Sequence, residues 1–279
     1  MSGFLLINKE PNMTSFDVVS AIKRKFKTGH VGHAGTLDPF ATGLLVVATN
    51  KACKFLSYVE SDTKVYEATL KLGEDTDTLD LEGKVIDSKP FNHVTIDLIN
   101  NAIQSFKGNI EQVPPMYSAL KINGKKLYEL AREGKEVERK SRQITIYDLV
   151  INSFDGQNIV FTCRCSKGTY IRTLGNDIAH ALNTCGHLVK LERKQIGNLS
   201  LKDAKKLDEI DETDLRRIED TLSLPKLVIS DPVLYRMTKN GMTVKLNSNE
   251  EEVMLVDEKD NIIAIYYKNN DYYKCRRGY

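Results

Sequence analysis

The segment that most constrains this 279-residue chain is a run of backbone-permissive residues around a single carboxylate, at positions 32–45. Its sequence is GHAGTLDPFATGLL, and Asp38 is its only acid. Glycine is used where main chain must turn sharply or pass close to another group. A carboxylate without an acidic neighbour in the run is unlike half of a metal site or of an acid/base pair. The run predicts a shaped loop that presents one reactive group, although an Asp-Pro turn is the simpler explanation of Asp38 taken alone.

Length and composition limit the class of protein. The chain is 41% hydrophobic and 28% charged, and is long enough for one large core and a small second domain. Its net charge of +2 neither favours nor excludes a nucleic-acid partner. Binding to RNA therefore requires a local cluster of basic residues.

No segment has the pattern of a membrane span, a secretion signal or a disulfide framework. The longest apolar run, at positions 44–48, is far too short to cross a bilayer, and no basic segment followed by a long apolar one opens the chain. The five cysteines include no C-x-x-C pair, which argues against zinc and favours reduced thiols. We therefore expect a cytoplasmic protein that does not bind a membrane.

Periodicity predicts alternating strands and helices followed by a β-rich tail. The predicted order is strand 4–7, a helix that begins after Thr14, helix 51–59, strand 65–72, helix 95–106, strands 143–151 and 158–165, helix 172–182 and strand 188–193. An acidic stretch, 203–220, holds eight acids and four basic residues and is expected to be the solvated face of a helix. Turn residues and short apolar runs predict two domains, 1–224 and a small β-rich domain, 225–279.

The first predicted helix begins with a capping box of Thr14 and Asp17 and ends in a basic cluster. The residues expected on its apolar face are Phe16, Val19, Ile22 and Phe26. The basic residues are Lys23, Arg24, Lys25 and Lys27. Cations at this end suit the helix dipole. They also suit an edge that contacts phosphate, because the helix leads directly into the Asp38 loop.

A second basic region occupies positions 112–142 and is rich in turn-forming residues and tyrosine. From position 119 to 142 it holds eight Lys or Arg and four Glu. Basic residues interleaved with aromatic ones suit a surface that binds a nucleic-acid backbone and stacks on bases. On charge alone, a solvated helix with ion pairs between successive turns is the simpler explanation.

Several familiar motifs are absent from the sequence. Gly29, Gly32 and Gly35 are not followed by G-K-[ST] and lack the G-x-G-x-x-G spacing, which excludes a Walker loop and a dinucleotide fingerprint. The stretch at 75–83 resembles a calcium loop, but it has Leu and Asp where an EF-hand needs an oxygen ligand and Gly. The chain also lacks H-E-x-x-H and G-x-S-x-G. We expect no metal and no organic cofactor.

Two further residues stand out by their position. Tyr66 lies on the apolar face of the strand at 65–72, where a core role is the usual explanation. Arg172 lies at a predicted helix start, where the helix dipole disfavours a cation. This position suggests an anionic partner for Arg172, although an ordinary surface ion pair would also satisfy it.

Three of these segments, in this order, resemble the bacterial tRNA pseudouridine-55 synthase family. GHAGTLDPFATGLL is similar to the family's catalytic motif, YSALKINGKKLYELAREG to its RNA-gripping insertion and CSKGTYIR to its arginine-bearing motif. The resemblance covers most of residues 3–200 and is weaker after Pro225. Glu10 and Asn12 stand where the family usually has Pro and Gly, and Ala34 where it often has Thr.

The resemblance implies the pseudouridine synthase fold, of the α+β class. This fold has a mixed, mainly antiparallel central sheet with flanking helices, and here a small C-terminal PUA-like domain follows it. The implied reaction is the isomerisation of uridine 55 in the T arm of tRNA, without a cofactor. The C1′–N1 bond of a flipped uridine breaks, the base rotates and C5 bonds to C1′.

The resemblance also implies roles for individual side chains. Asp38 is the catalytic carboxylate, and either attack on C1′ or removal of the C2′ proton remains open. Arg172 forms a charge-assisted pair that orients Asp38. Tyr66 stacks on the flipped base and accepts the C5 proton. The other implied substrate contacts are His33, Tyr170 and Leu191.

The implied partner is tRNA, with the insertion at 112–142 on the T arm and the C-terminal domain at the acceptor end. The protein is expected to act as a monomer. Two alternatives stay open at the level of sequence. One is a non-catalytic protein that binds or folds tRNA on the same scaffold. The other is a phosphate-dependent enzyme that uses the glycine-rich loop as an anion nest.

Overall fold

The computed structural model describes residues 2–61, 63–122 and 124–279. Asn123, which belongs to the predicted RNA-gripping motif, lies outside the described residues. The strands are β1 (Gly3–Lys9), β2 (Val31–Ala34), β3 (Thr42–Thr49), β4 (Lys64–Leu72), β5 (Glu74–Thr76), β6 (Val85–Ser88), β7 (Gly108–Gln112), β8 (Lys121–Ile122), β9 (Lys125–Lys126), β10 (Arg142–Phe154), β11 (Asn158–Cys165), β12 (Gly186–Ile196), β13 (Leu199–Ser200), β14 (Lys226–Val228), β15 (Glu252–Val256), β16 (Ile262–Asn269) and β17 (Tyr272–Gly278).

The α-helices are α1 (Ser15–Lys25), α2 (Leu56–Ser61), α3 (Ile96–Ala102), α4 (Leu127–Arg132), α5 (Ile171–Ala181), α6 (Ile218–Thr221) and α7 (Pro232–Lys239). Short 3-10 helices cover Asn50–Phe55, Ile103–Phe106, Leu201–Asp203 and Glu212–Asp214. None of the helices in the described part of the chain is long and apolar enough to cross a membrane.

One large mixed sheet organises the molecule. Its strand order is β1-β3-β12-β4-β11-β10-β7, with β2 paired to β3 and β13 to β12. Every neighbouring pair in it is antiparallel except β3 with β12. A second sheet, β14-β15-β16-β17, follows in the C-terminal region. These features confirm the predicted fold class.

β1 and β3 are buried on both faces because each lies between two hydrophobic cores. Leu5 and Leu45 face the main core, together with the apolar face of β4. Phe4 and Leu44 face the opposite core, which the C-terminal sheet closes with Met254, Val256, Ile262 and Ile265. Burial on both faces explains why these strands are continuous apolar runs, whereas β4 alternates strictly.

The acidic stretch at 203–220 does not form the predicted helix. It consists of short helical and hydrogen-bonded turns, and two of its residues, Lys205 and Arg216, bridge to the free edge of β1. Main-chain hydrogen bonds join Phe4 to Arg216 in both directions, and Lys205 to Leu6 and Asn8. The prediction was wrong because these bonds satisfy an exposed strand edge, a requirement that local charge does not reveal.

Three helix predictions also need correction in detail. Phe16 does not belong to the apolar face of α1: it is 70% exposed, and the buried residues are Ser15, Val18, Val19 and Ile22. The predicted helices at 51–59 and 95–106 are each divided into a 3-10 part and an α-helical part. The predicted capping box of Thr14 and Asp17 is present.

Candidate active site

A cleft of about 910 Å³ opens on the large sheet beside Asp38. Its walls are the loop between β2 and β3, the strands β4 and β12, the start of α5 and part of the insertion that joins β7 to β10. Asp38, Tyr66, Tyr170, Arg172 and Leu191 all line it. Five of the six predicted site residues therefore meet in one cavity, although they come from four separate segments.

Asp38 and Arg172 form an ion pair on the wall of this cleft. Nη2 of Arg172 donates a hydrogen bond of 3.1 Å to Oδ1 of Asp38, and Nε lies 2.9 Å from Oδ2 without hydrogen-bond alignment. The Arg172 side chain is 4% exposed, whereas that of Asp38 is 32% exposed. The carboxylate is thus held by a buried cation while one side of it stays open to the cleft.

The remaining donors of Arg172 are held by three groups of the surrounding loops. Nη1 donates to the carbonyl of Thr78 and Nη2 to that of Tyr117, both at 2.7 Å. Nη1 also lies 3.3 Å from Oδ2 of Asp80. The anionic partner that the sequence suggests for Arg172 is therefore present at the start of α5, and there are two such partners, Asp38 and Asp80.

Asp80 is a site residue that sequence reasoning missed. It is buried, and its Oδ1 accepts hydrogen bonds from the Thr78 hydroxyl and the Glu82 main chain. Burial raises the pKa of Asp80, an effect that the Arg172 guanidinium opposes. Asp80 belongs to the segment at 75–83, which resembles a calcium loop but lacks the residues that an EF-hand needs. A signal was available there, since Asp80 stands between two leucines and a buried acid needs a cation.

Tyr66, Tyr170 and Leu191 line the cleft from different elements. Tyr66 stands on β4 opposite Arg193 of β12, and burial raises the pKa of its phenol. The main chain of Tyr170 exchanges hydrogen bonds of 2.8 and 3.0 Å with the buried Gln112 side chain, which fixes the start of α5. A flat ring, an aliphatic side chain and an open carboxylate thus face one space.

His33 is the predicted substrate contact that does not line the cleft. It lies on β2, two residues before Gly35, which is the first residue of the Asp38 loop that lines the cleft. The His33 side chain is half-buried. Burial lowers the pKa of His33, and its Nδ1 is buried without a hydrogen-bond partner among the described residues. The imidazole is therefore neutral near pH 7.

Arg193 holds both ends of the Asp38 loop. This fully buried side chain donates from Nε to the carbonyl of Leu44 and from Nη2 to that of Gly35, at 2.8 and 2.9 Å. Gly43 has φ +99°, and a Cβ there would lie 2.5 Å from the Arg193 carbonyl oxygen. The glycines at the ends of the loop are required for close packing on Arg193, which the anion-nest alternative does not explain.

The turn before α1 supports the same loop from its other side. Nζ of the buried Lys9 donates to the carbonyls of Glu10, Met13 and Pro39, and burial lowers its pKa to about 8. Asn12, which stands where the resemblance expects Gly, has φ +63° and donates its main-chain N–H to Pro39. The expected turn therefore survives this substitution, because Asn tolerates the left-handed conformation.

The cleft is positively charged overall. Its lining includes Lys64, Arg142, Lys167, Arg172 and Arg193, opposed by Asp38 and Glu60. The insertion contributes Ser118 and Leu120 as well as Arg142, and helix α4 within it is only six residues long. None of the residues of α4 lines the cleft, so the alternative of a solvated helix stays open for this part of the insertion. The charge suits an anionic ligand.

One cluster outside the cleft has the composition of a metal site. The ligand atoms of Asp75, His180 and Cys185 lie within 4.8 Å of one another. The Asp75 carboxylate already accepts hydrogen bonds from Asn176 and the Gly186 main chain, and Nε2 of His180 lies 2.7 Å from it. These contacts explain the cluster as a structural one, and the absence of a metal stays a prediction.

Comparison with known proteins places this geometry in a family. The family described as "TruB family pseudouridylate synthase (N terminal domain)" matches residues 23–171, which include Asp38, Tyr66 and Tyr170. The chain belongs to the TruB family. This assignment confirms the resemblance found in the sequence.

Relatives of this TruB chain match it over most of its length. The tRNA pseudouridine synthase B of Clostridium kluyveri is 41% identical over 277 residues, which cover 98% of this chain and 94% of that protein. The protein of the same name from Mesoplasma florum is 35% identical over 279 residues, covering 99% and 98%.

Solved structures share the fold of this TruB chain. A chain in the crystal structure of a Cbf5-Nop10-Gar1 complex matches with a TM-score of 0.72 and 25% identity, over 95% of this chain and 78% of that one. A chain of an H/ACA RNP bound to a substrate RNA that contains 2′-deoxyuridine gives a TM-score of 0.73 at 21% identity, covering 99% and 84%.

Proposed function

We propose that this protein isomerises uridine 55 in the T arm of tRNA to pseudouridine, with Asp38 as the catalytic carboxylate. The observation that carries the proposal is the Asp38–Arg172 pair, in which a buried cation orients a carboxylate that remains open to a basic cleft. A protein that only binds RNA has no need for a carboxylate in such a cleft, because it repels phosphate.

The geometry of the cleft accounts for the parts of the reaction. The C1′–N1 bond breaks, a C1′–C5 bond forms, and the proton lost from C5 is balanced by one gained at N1. Asp38 faces the space where the sugar lies and acts either on C1′ or on the C2′ proton. Because Arg172 has four fixed partners, the carboxylate is oriented before the substrate arrives, which lowers the cost of reaching the transition state.

The flipped base fits between Tyr66, Tyr170 and Leu191. A uridine in a folded loop leaves its stack to enter such a pocket, and stacking on an aromatic ring offsets part of that cost. Burial raises the pKa of Tyr66, so that its phenol is neutral near pH 7. Acceptance of the C5 proton by Tyr66 therefore requires the neighbouring Arg193 to stabilise the phenolate.

The variant Tyr66→Phe separates stacking from proton transfer. It keeps the ring and removes the hydroxyl, so we expect tRNA affinity within about two-fold of wild type and slower product formation, by roughly 10- to 100-fold. Single-turnover kinetics and equilibrium binding measure the two effects. An unchanged rate would remove Tyr66 from the proton transfer and leave it a stacking role.

The tRNA contacts extend beyond the cleft in this proposal. The insertion at 112–142 binds the T arm, and residues 225–279 form a PUA-like domain that reaches the acceptor end, while 1–224 form the catalytic domain. Support for the first contact comes from Lys126 and Arg132, which both lie over the Tyr128 ring. The protein acts as a monomer and needs no metal, so chelator leaves its activity unchanged.

The deciding experiment uses unmodified tRNA transcribed in vitro. Wild-type protein is expected to convert uridine 55 to pseudouridine, and a tRNA with cytidine at that position to remain unmodified. The variant Asp38→Asn should bind tRNA with similar affinity and form no product. No product with wild type would favour the non-catalytic tRNA-binding protein instead, whereas full product with Asp38→Asn would refute the catalytic role of Asp38.

A further inference from the structure

A second groove, of about 510 Å³, lies beside α1 and the start of β2. One face of α1 forms a wall of it, since Phe16, Val19, Ser20, Lys23 and Arg24 recur at helical spacing. The opposite wall comes from the chain that leads into the Asp38 loop and from the 3-10 helix after β3, and consists of Gly29, His30, Val31, Gly32 and Cys53. A volume of about 300–1,000 Å³ is usual for sites that bind small organic groups.

Phe16 is the most exposed large apolar side chain in the described residues, at 70%. The ring lines the groove and does not belong to the core. The floor beside it contains Val19, which is buried, and the half-buried Val31. The groove thus offers one open aromatic face above an apolar floor.

The polar side chains of this groove are cations or neutral groups. Lys23 and Arg24 are exposed, and in the described parts of the chain neither side chain has an ion-pair or hydrogen-bond partner. The neighbouring Lys25 differs, because its ammonium donates to the carbonyls of Leu207 and Asp208. Lys25 is a structural tie, whereas Lys23 and Arg24 face a groove without acids in its lining.

The groove is continuous with the catalytic cleft along the chain. Val31 and Gly32 of β2 line the groove, and Gly35 begins the lining of the cleft, with His33 between them. Three residues of strand span about 10 Å, a distance that one or two nucleotides of a single strand cover. An RNA strand whose uridine enters the cleft therefore has this groove within reach.

We propose that this groove binds an unpaired nucleotide of the same tRNA whose uridine enters the cleft, an inference that rests on the proposed function. Its base stacks on Phe16, and its flanking phosphates contact Lys23 and Arg24. An aromatic face beside unpaired cations is the usual arrangement for a single-stranded nucleotide. The basic end of α1 thus serves a ligand in addition to the helix dipole.

Each groove variant is made in two proteins. In the Asp38→Asn protein we measure tRNA binding, and in the protein that retains Asp38 we measure product formation. Phe16→Ala is expected to weaken binding about five-fold or more. Phe16→Trp should retain affinity and Phe16→Leu should not, because stacking needs a ring whereas apolar packing does not. Lys23→Ala with Arg24→Ala should reduce the slope of log affinity against log salt by roughly 0.7–0.9 for each lost phosphate contact.

Abasic sites identify the nucleotide. One abasic position in the tRNA loop should weaken binding to the protein that retains Phe16. The same abasic position should not weaken binding to the Phe16→Ala variant any further. The matched controls are Ile96→Ala, an exposed apolar residue in the first turn of α3, and Lys202→Ala, an exposed lysine outside both cavities. Both are expected to bind tRNA as the parent does.

The outcomes separate this inference from the function on which it rests. If wild type forms pseudouridine but Phe16→Ala and the double variant bind tRNA normally, the groove is not a nucleotide site and the enzyme assignment stands. If Phe16→Leu retains affinity and no abasic position couples to Phe16, the stacking contact is refuted. If wild type forms no pseudouridine, the proposed function itself fails.

Discussion

At Arg172 a single buried guanidinium meets two carboxylates and two main-chain carbonyls. Removing one partner from such a buried pair leaves charge uncompensated, and the remaining groups move to restore a partner. The side chains that fix Arg172 therefore influence Asp38 even when they do not touch substrate. Asp80 is the clearest case, because it contacts Arg172 but does not line the cleft.

The variant Asp80→Asn tests this positioning role. The amide nitrogen of the variant side chain would replace one of the two carboxylate oxygens and could not accept a hydrogen bond there. It would then lie against a donor, either Nη1 of Arg172 or the main-chain N–H of Glu82. We expect Arg172 to shift, with a fall in the single-turnover rate of roughly 10- to 100-fold and little change in tRNA affinity. An equal loss of affinity and rate would instead indicate that the cleft as a whole is disturbed.

Asp177 on α5 is expected to make stability depend on pH. Burial raises the pKa of its carboxyl to about 6, above the value of 3.8 expected when unfolded. Well below pH 3.8 both states carry the proton. As the pH rises from about 4 to 6 the unfolded chain loses this proton while the folded chain keeps it, so stability falls over this window and stays lower at neutral pH.

Replacing Asp177 by Asn removes that cost. The variant should be more stable than wild type at pH 7, by about 1–2 kcal/mol once solvent screening is included, and the difference should be much smaller at pH 4. Urea denaturation at the two pH values measures the difference. A stabilisation of the same size at both would mean that ionisation of Asp177 is not its cause.

On the scale of elements, the loop between β2 and β3 owes its shape to strand β12. Arg193 of β12 binds the carbonyls of Gly35 and Leu44, and its main chain pairs with that of Gly43. The parallel contact of β3 with β12 thus places the Asp38 loop and Tyr66 of the next strand at one edge of the cleft. The loop conformation depends on this contact as well as on its own Asp-Pro turn.

Gly43→Ala tests the fit of the loop on β12. Its Cβ would meet two main-chain atoms of Arg193 at 2.5 and 2.9 Å, and its φ of +99° is strained for alanine. We expect a loss of about 2 kcal/mol or more in unfolding free energy, with reduced activity. Gly278→Ala is the control, because nothing lies within 4 Å of its Cβ. Equal stability of both variants would contradict the proposed packing.

The elements with a strong local signal were predictable from the sequence. The alternation in β4 and the capping box of α1 each arise from neighbouring residues, and both are present. The pairing of Asp38 with Arg172 was predictable only by resemblance. Asp80 was missed because its partner is distant in sequence. The conformation of the acidic stretch at 203–220 was predicted wrongly because the edge of β1 determines it.

On the scale of the whole molecule, the C-terminal sheet is a structural part of the catalytic region. Met254, Val256, Ile262 and Ile265 complete the core that covers Phe4, Leu6, Leu44 and Val46. A unit of some 50 residues is near the lower limit for independent folding. The two proposed domains therefore stabilise each other, in addition to any contact that each makes with tRNA.

Truncation after residue 224 tests this dependence. The shortened chain exposes one apolar face of β1 and β3, so we expect poor solubility or a large decrease in melting temperature rather than a stable enzyme with weaker tRNA binding. Thermal unfolding and size-exclusion chromatography distinguish these outcomes. A soluble, fully stable fragment 1–224 would show that the shared core contributes little.

The double burial of β1 and β3 also affects synthesis of the chain. These strands leave the ribosome about 200 residues before the residues that complete the cover of their second face, 254–265. At about 5–20 residues per second, some 200 residues take roughly 10–40 s to follow. During that interval part of an apolar strand surface stays uncovered, and general chaperones that bind nascent chains are its expected protection.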